Sequence, residues 1–227
     1  MNNTNEPNLH DIEYTTSLPT KQRIIVKAMK LFSVHGFSAV STRTIAAQVG
    51  VSNGALYKHF KSKQDIFDAI ILQSKQIFNN KYQELVTSLT KQADLKQMCM
   101  NMFLFQIEDE WIVMFRRMLI LEQFRDSHIA NIYREFSIEM PIQYQAKVFK
   151  ALIHLGIMKE RNPQVLSIEL YAPFFLYHTA PANKDELMPL LEKHVEYFIE
   201  NNMNNVDIDK STYLEFNNMI KGDKKYE

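Results

Sequence analysis

Residues 42–60, TRTIAAQVGVSNGALYKHF, contain the pattern that decides the fold of the N-terminal part of this chain. Two short stretches with helical apolar spacing lie on either side of Gly50, which permits the sharp turn between two helices. Ser41 and Ser52 stand where the N-caps of those helices are expected, and the second of the two, the recognition helix, is expected to run through Phe60. The small Ala46 allows the helices to pack closely. The spacing therefore predicts a helix-turn-helix unit.

A further helix is predicted on each side of this unit. Before it, an apolar stripe at i, i+4, i+7 and i+8 predicts a helix from about Thr20 to Gly36. After it, Ser62 and Asp65 have the spacing of a reciprocal helix cap, so a fourth helix is expected to begin at Ser62. Its apolar positions continue to Phe78, which predicts one continuous helix leading out of the N-terminal block.

The charge of the N-terminal block is one-sided. Residues 18–63 contain eight Lys or Arg and no Asp or Glu, although the net charge of the whole chain is zero. Lys and Arg that neutralise phosphates release counterions, and this release drives binding to nucleic acid. The block therefore predicts contact with a polyanion, and nucleic acid is the first one to consider.

The rest of the chain is also predicted to be helical, because glycine is scarce and no proline lies between Pro19 and Pro141. Helices are expected at 92–108, 110–124, 127–155, 163–180 and 184–203, with the third ended by Gly156. The expected organisation is a disordered leader at 1–17, one domain at 18–64, a second domain at 65–203, and a flexible tail at 204–227.

Several classes of protein are not supported by the sequence. A single cysteine, Cys99, excludes an intrachain disulfide and a cysteine-based zinc cluster, which is consistent with a cytoplasmic location. Neither a signal peptide nor a membrane span is recognisable. No catalytic or nucleotide-binding motif is present and the histidines lack metal spacing, so no catalytic residue, metal or cofactor is expected. Cys99 is expected to be buried, with redox sensing as the alternative.

The stretch IIVKAMKLFSVHGFSAVSTRTIAAQVGVSNGALYKHFKSKQDIFDAII, residues 24–71, resembles the TetR/AcrR family of bacterial transcriptional regulators. The resemblance is closest over residues 44–63. It implies an all-α protein in which a three-helix helix-turn-helix DNA-binding domain precedes a larger helical ligand-binding and dimerisation domain. It also implies a homodimer that represses transcription from a pseudo-palindromic operator and is released by a small apolar or aromatic effector. A transcriptional activator, or a regulator controlled by a protein partner, remains open.

The resemblance also implies which residues contact DNA. The start of the second helix and Tyr57, His59 and Lys63 are expected to bind phosphate, and the recognition helix is expected to read bases. Only Arg43, Asn53 and Lys58 have polar side chains long enough for direct base contacts. The complete expected set is Thr42, Arg43, Thr44, Ser52, Asn53, Gly54, Ala55, Tyr57, Lys58, His59 and Lys63.

Residues 72–203 are rich in Met, Phe and Tyr, which indicates either a helical core or an apolar ligand cavity. A cavity of roughly several hundred Å³ would favour a small ligand, and a bundle without one would favour a protein partner. The residues expected at the cavity are Met102, Phe103, Phe105, Trp111, Phe115, Met118, Tyr144, Tyr171, Phe175 and His178. The last two long helices, 163–203, are expected to form the homodimer interface, with Phe174, Phe175, Leu187, Leu191, Val195 and Phe198 as its exposed apolar residues.

Overall fold

The structure is a computed structural model that describes residues 17–88, 94–179, 184–204 and 210–221. In these four ranges the chain is helical and no β-strand is present, which confirms the all-α prediction. The helices are α1 (Thr20–His35), α2 (Thr42–Val49), α3 (Asn53–Tyr57), α4 (Lys63–Thr87), α5 (Asp94–Glu108), α6 (Glu110–Glu122), α7 (Ser127–Arg134), a π-helical turn (Glu135–Glu139), α8 (Met140–His154), α9 (Pro163–Thr179), α10 (Lys184–Asn202) and α11 (Lys210–Lys221).

Most predicted helix ends lie close to the observed ones, and the recognition helix is an exception. It was expected to continue to Phe60, but α3 ends at Tyr57. The amide groups of His59 and Phe60 both donate to the carbonyl of Leu56, at 2.9 and 3.1 Å. This shared acceptor closes the helix and turns the chain toward α4.

The π-helical turn divides the helix that was predicted at 127–155. Pro141 is at the start of α8 and has no N–H, so it cannot donate to the carbonyl of Ser137 four residues earlier. That carbonyl accepts a hydrogen bond from the hydroxyl of Tyr171 on α9, at 3.0 Å. The acceptor that proline leaves unpaired is therefore satisfied by a different helix.

The expected flexible tail is wrong for residues 210–221, which form α11. Tyr213, Phe216 and Ile220 are buried at spacing i, i+3 and i+7, so one face of α11 contributes to the core. The flanking polar residues obscured this short apolar stripe. The predicted leader lies outside the described residues, apart from Ser17.

The chain forms two compact units. Among the described residues, the first contains those up to Gln76 together with Val113–Ala130, and the second contains those within Ile77–Ile112 and those from Asn131 onward. The first unit is therefore larger than the domain expected at 18–64. Its additional members include Phe115 and Met118 of α6, both fully buried. None of the described helices is both long and apolar enough to cross a membrane.

Candidate nucleic-acid interface and ligand cavity

The helix-turn-helix forms through the local contacts that the sequence predicts. The Ser41 hydroxyl accepts a hydrogen bond from the Thr44 amide and the Ser52 hydroxyl accepts one from the Ala55 amide, both at 3.1 Å. These are N-caps of α2 and α3. Gly50 has φ 77° and ψ 35°, a left-handed conformation that ends α2. The Arg23 guanidinium of α1 donates to the carbonyl of Val49 and holds this turn against the first helix.

Most residues expected at the DNA are exposed on α2, on α3 and immediately after α3. Thr42 and Ala55 are half-buried, and the exposed set is Arg43, Thr44, Ser52, Asn53, Gly54, Tyr57, Lys58 and His59. The hydroxyl of Tyr57 lies 3.3 Å from that of Thr42, so the start of α2 and the end of α3 meet. The hydroxyls of Thr44 and Ser52 are already used in the caps. The long polar side chains of Arg43, Asn53 and Lys58 therefore remain as the main exposed contacts.

Lys63 differs from the other expected contacts because its ammonium group faces the protein. Its Nζ donates to the carbonyls of Phe37 at 2.7 Å, Val40 at 2.9 Å and Ser38 at 3.4 Å. It also lies 4.3 Å from the centre of the Phe37 ring. Burial lowers the pKa of Lys63. This arrangement gives Lys63 a role in holding the loop between α1 and α2, and its phosphate contact stays a prediction.

Glu122 holds the same loop, a role that the sequence did not predict. It is fully buried at the end of α6 and accepts hydrogen bonds from the amide of Ser38 at 3.1 Å and its hydroxyl at 2.8 Å. The charge of Glu122 opposes the lowering of the Lys63 pKa. Gly36 has φ 81°, and a Cβ there would collide with the Glu122 carboxylate. The loop that precedes α2 is thus fixed by an acid and a base together.

The second unit contains a cavity of about 50 Å³. Of the ten residues expected there, Met102, Phe103, Tyr144 and Tyr171 line it. Five others do not, which corrects the prediction: Phe105, Trp111, Phe115, Met118 and Phe175. A shift of one position turns a helical side chain by about 100°, so composition alone could not separate lining residues from their neighbours. The side chain of His178 lies outside the described part of the structure.

Aromatic residues form much of the cavity wall, and α4 contributes residues that the sequence did not single out. Phe78 and Tyr82 of α4 lie beside Tyr144, and the rings of Tyr82 and Tyr144 stack with their centres 4.4 Å apart. The Tyr82 hydroxyl donates to the carbonyl of Tyr144 at 3.0 Å. Elsewhere in the cavity wall, the ring of Phe103 on α5 stacks on that of Phe174 on α9, with their centres 4.7 Å apart. The cavity is therefore suited to flat apolar groups.

Cys99 also lines the cavity, and its environment argues against a reactive thiol. Burial raises the pKa of the Cys99 thiol to about 12. The thiolate is the reactive form, so the side chain is protonated and unreactive near neutral pH. No group of three or more His, Cys, Asp or Glu in the described part of the chain is arranged to hold a metal ion.

The apolar residues expected at a dimer interface lie on the wrong faces of their helices. Phe174, Leu191, Val195 and Phe198 are buried within the single chain, and Phe175 and Leu187 are half-buried. Five other large apolar or aromatic residues of α9 and α10 are between 53% and 69% exposed, namely Val165, Ile168, Leu176, Leu190 and Tyr197. We call this set the exposed stripe. The rotation of these two helices was therefore misjudged, and their place in a homodimer interface stays a prediction.

Residues 24–70 match the family described as bacterial regulatory proteins, tetR family. Residues 24–70 of this chain therefore form a TetR-family helix-turn-helix segment. It is 40% identical to the HTH-type transcriptional regulator UidR of Escherichia coli K12 over 62 residues, which are 27% of this chain and 32% of UidR. This chain thus matches about a third of the length of that relative.

Solved structures show that the similarity of fold extends further along the chain. A putative TetR-family regulator from Mesorhizobium loti has a TM-score of 0.67 and 21% identity, covering 82% of this chain and 97% of that one. The SmeT–triclosan complex has a TM-score of 0.62 and 20% identity, covering 86% and 96%. The TetR-family fold, with its helical domain after the helix-turn-helix, is therefore shared.

Proposed function

We propose that this protein is a dimeric transcriptional repressor that binds a pseudo-palindromic DNA operator and is released by a small apolar effector. The observation that carries the proposal is the exposed helix-turn-helix surface within a block of 46 residues, 18–63, that has eight basic and no acidic side chains. Such a surface attracts phosphates without local repulsion. In bacteria the protein would act in the cytoplasm, where the DNA is located.

The exposed residues of α2 and α3 are suited to two kinds of DNA contact. The hydroxyls of Tyr57 and Thr42 are adjacent, and we expect them to bind the same phosphate region and so to set the position of α3. Asn53, Lys58 and Arg43 have the reach to contact base edges in the major groove. Gly54 presents no side chain, which allows the start of α3 to approach the bases closely.

The exposed stripe on α9 and α10 supports a two-fold dimer. Its five apolar residues lie at helical spacings and are too exposed to stabilise the single chain. Lys193, 4.9 Å from the centre of the Tyr197 ring, gives this surface a charged margin. A two-fold dimer would present two recognition helices to half-sites roughly 34 Å apart.

Control by an effector is supported by the cavity in the second unit and by the shared fold of SmeT, which is a complex with triclosan in its solved structure. One continuous helix, α4, contains both cavity residues Phe78 and Tyr82 and the loop-binding Lys63. A displacement of α4 would therefore be transmitted through Lys63 to the loop that precedes α2. Release requires that the effector bind the DNA-incompetent state more tightly than the competent state.

The size of the cavity also favours a second candidate, a regulator controlled by a protein partner. At about 50 Å³ the cavity is well below the roughly 300–1,000 Å³ of typical ligand sites. Effector binding would require the cavity to expand, and Met98 and Met102 supply flexible side chains in its wall. A screen of apolar compounds for release of bound DNA separates the two candidates.

The decisive test of the proposed function is binding of the purified protein to the DNA upstream of its own gene, compared with an unrelated duplex at two salt concentrations. We expect tighter binding to the upstream DNA and a steep loss of affinity with salt. Asn53→Ala should reduce the preference between the duplexes more than it reduces affinity for the unrelated one. Absence of DNA binding at any salt concentration would refute the proposal.

A further inference from the structure

We infer that the cavity of the second unit selects uncharged aromatic compounds that carry a hydrogen-bond donor, and that Gln145 is the residue that recognises the donor. The inference rests on the proposed function only in treating the ligand as an effector, since binding itself is a separate property. Two observations support it, namely the absence of charge in the cavity wall and an unpaired acceptor.

The first observation is that none of the described residues lining the cavity is Asp, Glu, Lys, Arg or His. The wall is formed by aliphatic, aromatic and sulfur-containing side chains and two glutamines. A charged ligand transferred from water into this environment would lose its hydration without gaining a counter-charge, which is strongly unfavourable. The cavity therefore excludes carboxylates and ammonium compounds of similar size.

The second observation concerns the amide of Gln145 on α8. Its Oε1 atom is buried and has no hydrogen-bond partner. Two other polar atoms at the cavity are already paired, because the hydroxyls of Tyr82 and Tyr171 donate to the carbonyls of Tyr144 and Ser137. A buried acceptor without a partner is unfavourable, and a ligand O–H or N–H that reached Gln145 would remove this penalty.

The aromatic walls add a preference for flat ligands. The stacked rings of Tyr82 and Tyr144 and those of Phe103 and Phe174 provide surfaces for ring stacking. A cavity of roughly 150 Å³ is sufficient for benzene, so this one must expand when an aromatic ring enters. We expect Met98 and Met102 to move, since both side chains are flexible and only half-buried.

Calorimetric titration of the purified full chain with phenol, toluene and benzoate tests the inference. Phenol and toluene are nearly the same size, but only phenol can donate, whereas benzoate carries a charge. We expect phenol and toluene to bind and benzoate not to bind. In Gln145→Met, phenol should bind about threefold to tenfold more weakly, with toluene affinity unchanged or increased.

Gln143→Met is the matched control, since Gln143 is exposed on the same helix and does not line the cavity. Its phenol and toluene affinities should equal those of the unmodified protein. Gln145→Leu provides a second removal of the acceptor if Gln145→Met does not fold. Equal losses of phenol and toluene in the Gln145 variants, binding of benzoate as tight as that of phenol, or no binding of either neutral compound would each overturn the inference.

A parallel measurement of DNA binding distinguishes this inference from the proposed function. Selective phenol binding that leaves DNA affinity unchanged would support the inference and refute control by such effectors. DNA binding without any aromatic binding would refute the inference and retain the DNA-binding function.

Discussion

The surface of the helix-turn-helix and the cavity of the second unit differ in how much of their chemistry depends on local sequence. The caps of α2 and α3 join residues three positions apart, and the exposed contacts follow directly from those helices. The cavity instead collects residues from α4, α5, α8 and α9, so its wall depends on the rotation of four helices. A site built from one short segment can be recognised by its order of residues, whereas a site assembled from distant helices cannot.

The largest expected effect concerns the second unit and its exposed stripe. Leu190→Asp places a charge at the centre of the proposed interface, and we expect the dimer dissociation constant to rise by about 100-fold or more. Analytical ultracentrifugation measures the change. Leu214→Asp is the matched control, because Leu214 is 64% exposed on α11 and lies outside the stripe. Equal behaviour of the two variants would exclude the stripe as the interface.

The next prediction tests whether the stability of the first unit depends on a contact between residues that are far apart in the sequence. Glu122→Ala removes the buried acceptor of both Ser38 hydrogen bonds, and we expect the free energy of unfolding to fall by about 3 kcal/mol. Urea denaturation followed by circular dichroism measures this value. The exposed Glu215 on α11 provides the control, and Glu215→Ala should change stability by less than about 0.5 kcal/mol. A similar small change for both would mean that Glu122 does not stabilise the loop.

Two glycines at positive φ are expected to differ in how much stability is lost when each is replaced by alanine. Gly50→Ala introduces a Cβ at positive φ but meets no other atom within 4 Å, so we expect a loss of about 1 kcal/mol. Gly36→Ala is more strained, because φ 81° with ψ 157° lies in a region that only glycine adopts readily, and its Cβ also displaces the Glu122 carboxylate, so the loss should be about 2 kcal/mol or more. Thermal or urea unfolding of both variants gives the difference. Equal losses would contradict this, because they would mean that neither the more restricted backbone of Gly36 nor its contact with Glu122 adds to the cost of substitution.

The smallest effect concerns a single phosphate or base contact on the exposed surface. Lys58→Ala should weaken DNA binding by about 1 kcal/mol and reduce the slope of affinity against salt by about one unit, without changing stability. Fluorescence anisotropy at several salt concentrations measures both quantities. Lys150, exposed on α8 in the second unit, is the control for loss of one positive charge. If Lys150→Ala has the same effect, the loss reflects overall charge and not a contact at α3.

The sequence was sufficient to predict the N-terminal helices because their signals are short-range. Gly50, Ser41, Ser52 and the Ser62–Asp65 pair all act within a few residues, and each is found in its expected role. The hydrogen bonds of the Lys63 ammonium to the loop before α2 could not be predicted, because their acceptors lie 23 to 26 positions earlier. The role of Glu122 at the same loop was not predicted for the same reason, since its partner Ser38 is 84 positions away.

Helical rotation explains the errors in the rest of the chain. The limits of α9 and α10 were predicted within one residue, yet Phe174 and Val195 proved to be buried in the chain and not at its surface. A broad apolar helix such as α9 has few polar residues to mark its outer face. Periodicity therefore located the helices, but packing partners were needed to orient them.

The π-helical turn at Glu135–Glu139 has a consequence for insertions and deletions. A π turn contains one residue more than an α turn, so the helix from Ser127 to His154 has in effect absorbed an insertion. Deletion of the exposed Ile138 would restore the α-helical count and leave the rotation of α8 relative to α7 nearly unchanged, whereas removal of one residue from a regular α-helix would rotate the part that follows by about 100°. Gln145 would then remain at the cavity although the chain before it was one residue shorter. The π-helical turn thus makes this segment tolerant of a change in length that would elsewhere move the side chains that meet the ligand.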